Sequence, residues 1–327
     1  MSALLRIGVL GAAKVVPYAL ALPARSVPEV QVTAIAARNP MRAKRFARLF
    51  RIPRVHQTYD DLLADPGIDA IYNPLPNSLH AEWTIKALRA GKHVLCEKPF
   101  ASNAREATEM AKVAKETGLV LSEAFAYRNH PLAARMKEIV ANDLGRIQSI
   151  EARFCFILVN FFNVRYRYDL AGGALMDAGC YPVSMVRYLM GEEPEVVHVK
   201  AKQIKPNVDS RMEADLSFPS GAKGNIICDM LSPRLFDSFL RVKERTGEMT
   251  VLGPFQPSWF HWMTVRTSKK TWRGNIRGEN IYALQLRAFA SAILLGTSLQ
   301  TTAEDAVHTM RVIDSIYEKA GLKLRGE

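Results

Sequence analysis

The sequence predicts an α/β unit on a doubly wound parallel sheet, followed by an α+β unit on a large, mostly antiparallel sheet. Three observations predict it. Short apolar runs alternate with helical patterns over residues 1–124, the grammar of βαβ units. Longer strand-like runs separated by turn residues fill residues 125–327, with few helices between them. And 327 residues, at about 150 per domain, leave room for two full cores.

In the first unit, residues 5–10 read as a strand, and Gly11 then opens a helical stretch. Residues 30–36 form a second strand and 43–50 a helix. Residues 70–72 and 93–96 continue the strand series, with a helix over 79–90 closed by Gly91. A helix over 104–117 meets Gly118 and leads into a strand at 119–121. Crossovers of this kind are right-handed, which makes the sheet doubly wound. In the second unit a helix over 132–141 ends near Gly145. Strands follow at 147–158, 196–204, 212–218, 222–230, 239–242 and 249–252, and helices over 285–295 and 303–319 close the chain.

Composition narrows the function. The net charge is +12, and its densest stretch, Arg38 to Arg54, lies on a helix whose other face is Phe46, Leu49 and Phe50. No interleaved aromatic stacking motif accompanies it, so it reads as a solvated face and not a nucleic-acid surface. No apolar run reaches the roughly 18 residues of a membrane span. The apolar start Ala3-Leu4-Leu5 is cut by Arg6 and passes straight into a strand, a poor secretory signal, so a cytoplasmic protein is expected. The four cysteines are scattered without a C-x-x-C pair, and the seven histidines are dispersed; no metal is expected.

Three motifs carry chemistry. Gly11-Ala12-Ala13-Lys14-Val15-Val16 stands where the first strand gives way to a helix, the place of a dinucleotide fingerprint. Only the first of its three glycine positions is glycine; Ala13 and Val16 hold the others. Glu97-Lys98-Pro99 directly follows the strand at 93–96, where ligands of open parallel sheets bind. In the second unit Asp177 and Tyr181 are spaced i, i+4 at a helix start, which projects both to one side. The paired Gly172-Gly173 before them permits a ligand to approach the backbone closely.

Together these stretches resemble the glucose–fructose oxidoreductase / inositol dehydrogenase / MocA family. Tyr72-Asn73-Pro74-Leu75-Pro76-Asn77-Ser78-Leu79-His80, Glu123 to Pro131 and Gly172 to Tyr181 carry the resemblance with the Gly11 turn and Glu97-Lys98-Pro99, in family order across nearly the whole chain. The resemblance implies a Rossmann unit followed by an open-faced antiparallel sheet. Many members carry histidine where Tyr181 stands; tyrosine resembles the branch of dimeric dihydrodiol dehydrogenase and glucose–fructose oxidoreductase. It also implies hydride transfer between a nicotinamide and a carbinol or carbonyl carbon of a pyranose sugar or cyclic trans-diol. The alternative on this scaffold is a cofactor-retaining sugar oxidoreductase or redox-assisted glycosidase.

The residues then take roles. Tyr181 is the candidate acid/base; an ordinary phenol titrates near ~10, and a nearby ammonium from Lys98 favours its ionised form. Lys98 also stabilises a developing alkoxide. Asp177 orients substrate hydroxyls or Lys98, and Arg165 walls the substrate pocket. The cofactor set is Gly11, Ala12, Ala13, Lys14, Val15, Ala37, Arg38, Arg42, Pro74, Leu75, Asn77, His80, Glu97, Lys98 and Arg128.

Cofactor choice rests on an absence. NAD-selective units place an acidic residue about 20 positions after the glycine turn to hold the ribose hydroxyls. Between Val30 and Tyr59 there is no Asp or Glu, and Arg38 stands where that carboxylate belongs, with Arg42 one turn later. A guanidinium suits a 2′-phosphate, so NADP is expected. Finally, the run Phe154 to Val159 is apolar on both alternating sides, which predicts burial on both faces and a homodimer.

Overall fold

The computed structural model describes residues 4–327; Ala3 of the apolar start lies outside them. The chain forms two compact units, Met1–Asn129 with Glu279–Val307 and His130–Gly278 with His308–Glu327. Where the sequence suggests one boundary at 124/125, the chain instead passes between the units three times.

The first unit is built on six parallel strands: β1 (Leu5–Leu10), β2 (Val30–Ala36), β3 (Arg54–His56), β4 (Ala70–Asn73), β5 (His93–Cys96) and β6 (Leu121–Glu123), in the order β3-β2-β1-β4-β5-β6. The order reverses between β1 and β4, the switch point at which such sheets bind ligands. Four helices connect them: α1 (Pro40–Phe50), α2 (Tyr59–Ala64), α3 (His80–Arg89) and α4 (Ala104–Thr117). Their starts follow from local chemistry. The Asn39 side chain accepts from Arg42 N at 3.1 Å with Pro40 in the first turn, and Asn103 accepts from Glu106 N at 2.9 Å. Thr58 and Asp61 form a reciprocal capping box at α2. β3 and α2 are additions to the sequence reading. β3 is a three-residue edge strand, half-buried throughout, and so lacks an apolar run.

The helical stretch expected after Gly11 forms only as irregular turns. Residues Pro17–Ala21 make a π turn and Pro23–Ser26 a 3-10 turn, each opened by proline, so no regular helix forms there.

The second unit holds an eight-stranded sheet: β7 (Ser149–Ile157), β8 (Glu195–Lys205), β9 (Val208–Ser217), β10 (Lys223–Asp229), β11 (Leu231–Lys243), β12 (Glu248–Leu252), β13 (Trp262–Arg266) and β14 (Thr271–Gly274), ordered β14-β13-β12-β11-β7-β10-β9-β8. Only β7 and β10 pair in parallel. β11 is far longer than the run 239–242, because its first half is bulged and exposed and carries no apolar signal. β13 and β14 escape the sequence reading as short strands, β14 being the largely exposed edge of the sheet. Helices α5 (Pro131–Glu138) and α6 (Cys180–Met190) belong to this unit, and α6 packs on β7 and β10. The opposite face presents the cross-strand row Arg153, Phe239, Leu252 and Trp262. The guanidinium groups of Arg153 and Arg241 lie 4.0 and 5.1 Å from the Phe239 ring centre and cover it. The expected two-sided burial of β7 holds at Phe154 and Cys155 but fails at its end, where Ile157 is 42% and Val159 70% exposed.

Helix α7 (Ile281–Leu295) returns to the first unit, where Leu286, Phe289 and Ala290 join Leu5, Val9 and Ile35 in one buried cluster. Its apolar residues give it a core to fill there. Helix α8 (Ala303–Lys319) closes the chain.

Candidate active site

In the first unit the candidate residues gather at the carboxyl ends of β1, β2, β4 and β5. Gly11 follows β1 with φ +84° and donates its N–H to Ala36 O at 2.6 Å. A Cβ there would lie 3.1 Å from Leu75 Cδ2 and 3.6 Å from the Tyr59 hydroxyl, so both the angle and the space call for glycine. Ala12 is buried, Ala13 and Val15 are half-buried and Lys14 is exposed. Val16, in the third glycine position, is fully buried in the core. Val16 joins Ala19 and Leu20 of the following helical turn in the cluster that holds Leu5 and Val9, so a side chain fills the place of the third glycine.

Buried Ala37 ends the β2 segment, and Arg38 and Arg42 are exposed beyond it. Tyr59, which sequence reasoning passed over, stands beside them. Burial pushes its phenol up, against the opposing pull of the Arg38 backbone and charge. Its ring packs edge-on to Trp83 at 4.8 Å.

The loops after β4 and β5 are bound to each other. Asn73 donates to His80 O at 3.2 Å and Thr84 Oγ1 at 3.1 Å and accepts from Leu75 N at 3.3 Å. This folds Pro74, Leu75 and Asn77 over the end of β4. His80 is buried, with Nδ1 2.9 Å from Pro99 O and Nε2 2.8 Å from Leu75 O. Burial lowers its pKa to about 4 although the two carbonyls favour the proton, and the Lys98 charge adds to the lowering. His80 therefore lies between the two loops, and a neutral ring donates to only one of the two carbonyls. Tyr72 donates to Glu97 Oε1 at 2.5 Å, and Glu97 N donates to Asn73 O at 3.0 Å. Lys98 thus leaves β5 from a segment fixed on both sides, half-buried and joined to Pro99 by a cis peptide.

Arg128 is occupied structurally. It is buried, 3.3 Å from Asp305 Oδ2, and donates to Gln300 O at 3.0 Å. It ties residues 126–129 to the segment after α7, a task that sequence spacing could not reveal because 177 positions separate the ion pair.

In the second unit Asp177 lies in a π-helical segment, Leu175–Gly179, and Tyr181 in the first turn of α6. The pair therefore spans a π-to-α junction and not a regular helix start. Arg165 Nε lies 2.6 Å from Asp177 Oδ2, which makes Arg165 the partner of Asp177 within this unit. The Tyr181 ring packs against Phe154 at 5.0 Å and Phe255 at 5.6 Å. Gly173, at φ +141°, would carry a Cβ 2.2 Å from Asp209 Oδ1, and Gly172 a Cβ 2.6 Å from Arg165 O, so the paired glycines make room for a buried carboxylate and for neighbouring backbone.

Residues 5–125 match the model described as an oxidoreductase family with an NAD-binding Rossmann fold, and residues 133–250 match the GFO/IDH/MocA C-terminal domain. D-xylose 1-dehydrogenase (NADP(+)) 2 from Haloferax volcanii is 35% identical over 316 residues, 96% of each chain. The chain belongs to the GFO/IDH/MocA oxidoreductase family. Within this family it is also 33% identical over 228 residues to trans-1,2-dihydrobenzene-1,2-diol dehydrogenase from Sus scrofa, covering 69% of this chain and 67% of the other. Among solved GFO/IDH/MocA structures, a 3-ketoreductase from Actinomadura kijaniata in complex with NADP and TDP-benzene superposes with a TM-score of 0.89 at 29% identity, over 97% of this chain and 98% of the other. Among the described residues no helix is long and apolar enough to cross a membrane, and no group of three or more His, Cys, Asp or Glu is placed to hold a metal ion.

Proposed function

We propose that this chain is an NADP-dependent oxidoreductase that moves a hydride between nicotinamide and a carbinol or carbonyl carbon of a pyranose sugar or cyclic trans-diol. The observation that carries the reading is Lys98, braced through Glu97 and Tyr72 at the end of β5, in a chain that also presents Asp177 and Tyr181 across the π-to-α junction that leads into α6. The residues present fit a dinucleotide: the positive-φ turn at Gly11 favours glycine, and no carboxylate follows β2 before Tyr59.

The nicotinamide supplies the hydride chemistry when bound. The turn Gly11 to Val15 holds the pyrophosphate, with Ala37, Pro74, Leu75 and Asn77 shaping the remaining wall. Arg38, assisted by Arg42, takes the 2′-phosphate. Lys98 donates to the reacting substrate oxygen and stabilises negative charge developing there. Tyr181 gives or takes the hydroxyl proton. Asp177, held by Arg165, accepts from substrate hydroxyls and fixes which carbon is presented. Glu97 and His80 act through Lys98 and the loops, not on substrate.

The experiment is a turnover screen: protein with NADP⁺ or NAD⁺ and a panel of aldoses, inositols and trans-dihydrodiols, followed by absorbance of the reduced nicotinamide, together with the reverse reaction on keto sugars with NADPH. Turnover with NADP⁺ on a sugar or diol supports the reading. No turnover in either direction across the panel would overturn it.

The same reading includes a homodimer and a cytoplasmic location. The sheet face with Leu252 and Trp262 each 44% exposed suits a second copy of the chain. The four cysteines are free and buried, in keeping with a reducing compartment. A monomeric mass by light scattering at micromolar concentration would remove the dimer.

A further inference from the structure

We infer that Arg325 and Asp209 are positioning residues for the segment that carries Asp177 and Tyr181. The inference rests on the reading that those two side chains work on the substrate.

Asp209 in β9 and Arg325 after α8 are both fully buried, and Arg325 Nη2 lies 2.8 Å from Asp209 Oδ1. This ion pair grips the backbone just ahead of Asp177 from two sides. Arg325 Nε donates to Gly172 O at 2.8 Å. Asp209 Oδ2 accepts from Leu175 N, the first residue of the π segment, at 2.7 Å. Between the two gripped residues stands Gly173, whose missing side chain leaves the space the pair occupies. Tyr317 completes the arrangement: its hydroxyl donates to Asp209 Oδ1 at 3.0 Å and its ring lies 4.0 Å from the Arg325 guanidinium. Arg325 Nη1 donates to Lys323 O at 2.9 Å.

Stability alone does not call for such a pair. Apolar residues of similar volume often replace a buried ion pair without loss. What apolar residues cannot supply is an acceptor for one backbone N–H and a donor for a backbone carbonyl three residues away. Gly172 and Gly173 have no side chains of their own to pack, so the path into the π segment is set from outside, by charge. Asp177 lies two residues and Tyr181 six residues past Leu175. A displacement of about 1 Å at a reacting group costs on the order of a hundredfold in rate.

The test is the charge-neutral double variant Arg325→Gln/Asp209→Asn, alone and combined with Tyr181→Phe, with far-UV circular dichroism and NADPH affinity measured alongside turnover. The expected result is a folded protein with wild-type NADPH affinity, kcat lowered about tenfold or more, and little further loss when the double change is added to Tyr181→Phe. Wild-type kcat in the folded double variant would overturn the inference. So would an equal loss in both backgrounds, because a general structural defect ignores whether Tyr181 is functional. If the double variant does not fold, Tyr317→Phe carries the test: it removes one hydrogen bond to Asp209, and a loss of kcat confined to the Tyr181 background is required. Tyr181→Phe by itself separates the two levels of reading. If it turns over like wild type, the site assignment fails; if it is inactive while the Arg325/Asp209 variant is unimpaired, only the positioning inference fails.

Discussion

Arg165 Nε meets Asp177 Oδ2 at 2.6 Å, with the arginine side chain 41% and the aspartate 14% exposed. The contact holds the Asp177 carboxylate in place, and on the proposed reading substrate hydroxyls donate to that carboxylate. Arg165→Gln is expected to raise the sugar KM about tenfold, the loss of a charge-assisted contact that is partly screened by solvent. NADP KM stays unchanged. Initial rates with each substrate varied in turn check this; a changed NADP KM with an unchanged sugar KM defeats the assignment.

Lys98→Ala and Tyr181→Phe are expected to lower kcat by about 10²–10³-fold each while NADPH still binds. On the proposed reading both groups act on charge or a proton at the reacting oxygen, which develops in the transition state. Saturating-substrate turnover and NADPH fluorescence titration are the paired measurements. A variant that keeps wild-type kcat removes that residue from the mechanism.

On the proposed reading, cofactor selection turns on exposed Arg38 beyond β2, assisted by Arg42 in the first turn of α1. Arg38→Ala is expected to shift the ratio of kcat/KM for NADP⁺ over NAD⁺ by about tenfold toward NAD⁺, since each charge-assisted bond to a phosphate is worth about 1.5–3 kcal/mol before screening. Arg42→Ala moves it less. An unchanged ratio in the Arg38 variant rules the residue out.

What was legible in the sequence was whatever repeats with a period or sits at an element boundary. The strands β1, β2 and β5 match their apolar runs residue for residue, because a strand buried on both faces must be continuous in apolar side chains. The edge strands β3 and β14 and the five-residue β13, none buried on both faces, lack that signal and were invisible. Two kinds of site information were also out of reach. Prolines at 17 and 23 override a helix that the βαβ pattern demands. Long-range pairs leave no local trace: Arg325 and Asp209 are 116 positions apart, and nothing near either residue marks it as buried. The Gly172-Gly173 pair was visible as an unusual backbone request, but the sequence did not say that a carboxylate and not a ligand fills the space. Ser102 and Asn103, both buried, precede α4 as a readable capping pattern, and Thr58 with Asp61 offered a signal for α2 and hence Tyr59.

The last prediction concerns acid stability. His80 in the first unit and His130 in the second are both lowered to about 4, chiefly by burial; proximity to His261 adds to the effect at His130. An unfolded histidine titrates near ~6.5. The folded state therefore favours the neutral ring, and the unfolded state binds the proton first as pH falls. The stabilisation is whole above about pH 6.5 and is lost progressively as the pH drops through about 4. For His80 the full difference is on the order of 3 kcal/mol, a large part of a typical domain's stability. Urea unfolding of the cofactor-free protein at pH 7, 5.5 and 4.5 should show the midpoint falling steadily. His80→Gln should begin lower, having lost the brace between Leu75 O and Pro99 O, but should fall less steeply with pH. Parallel pH dependences for the two proteins would show that His80 does not titrate with unfolding, and the acid sensitivity would then lie elsewhere.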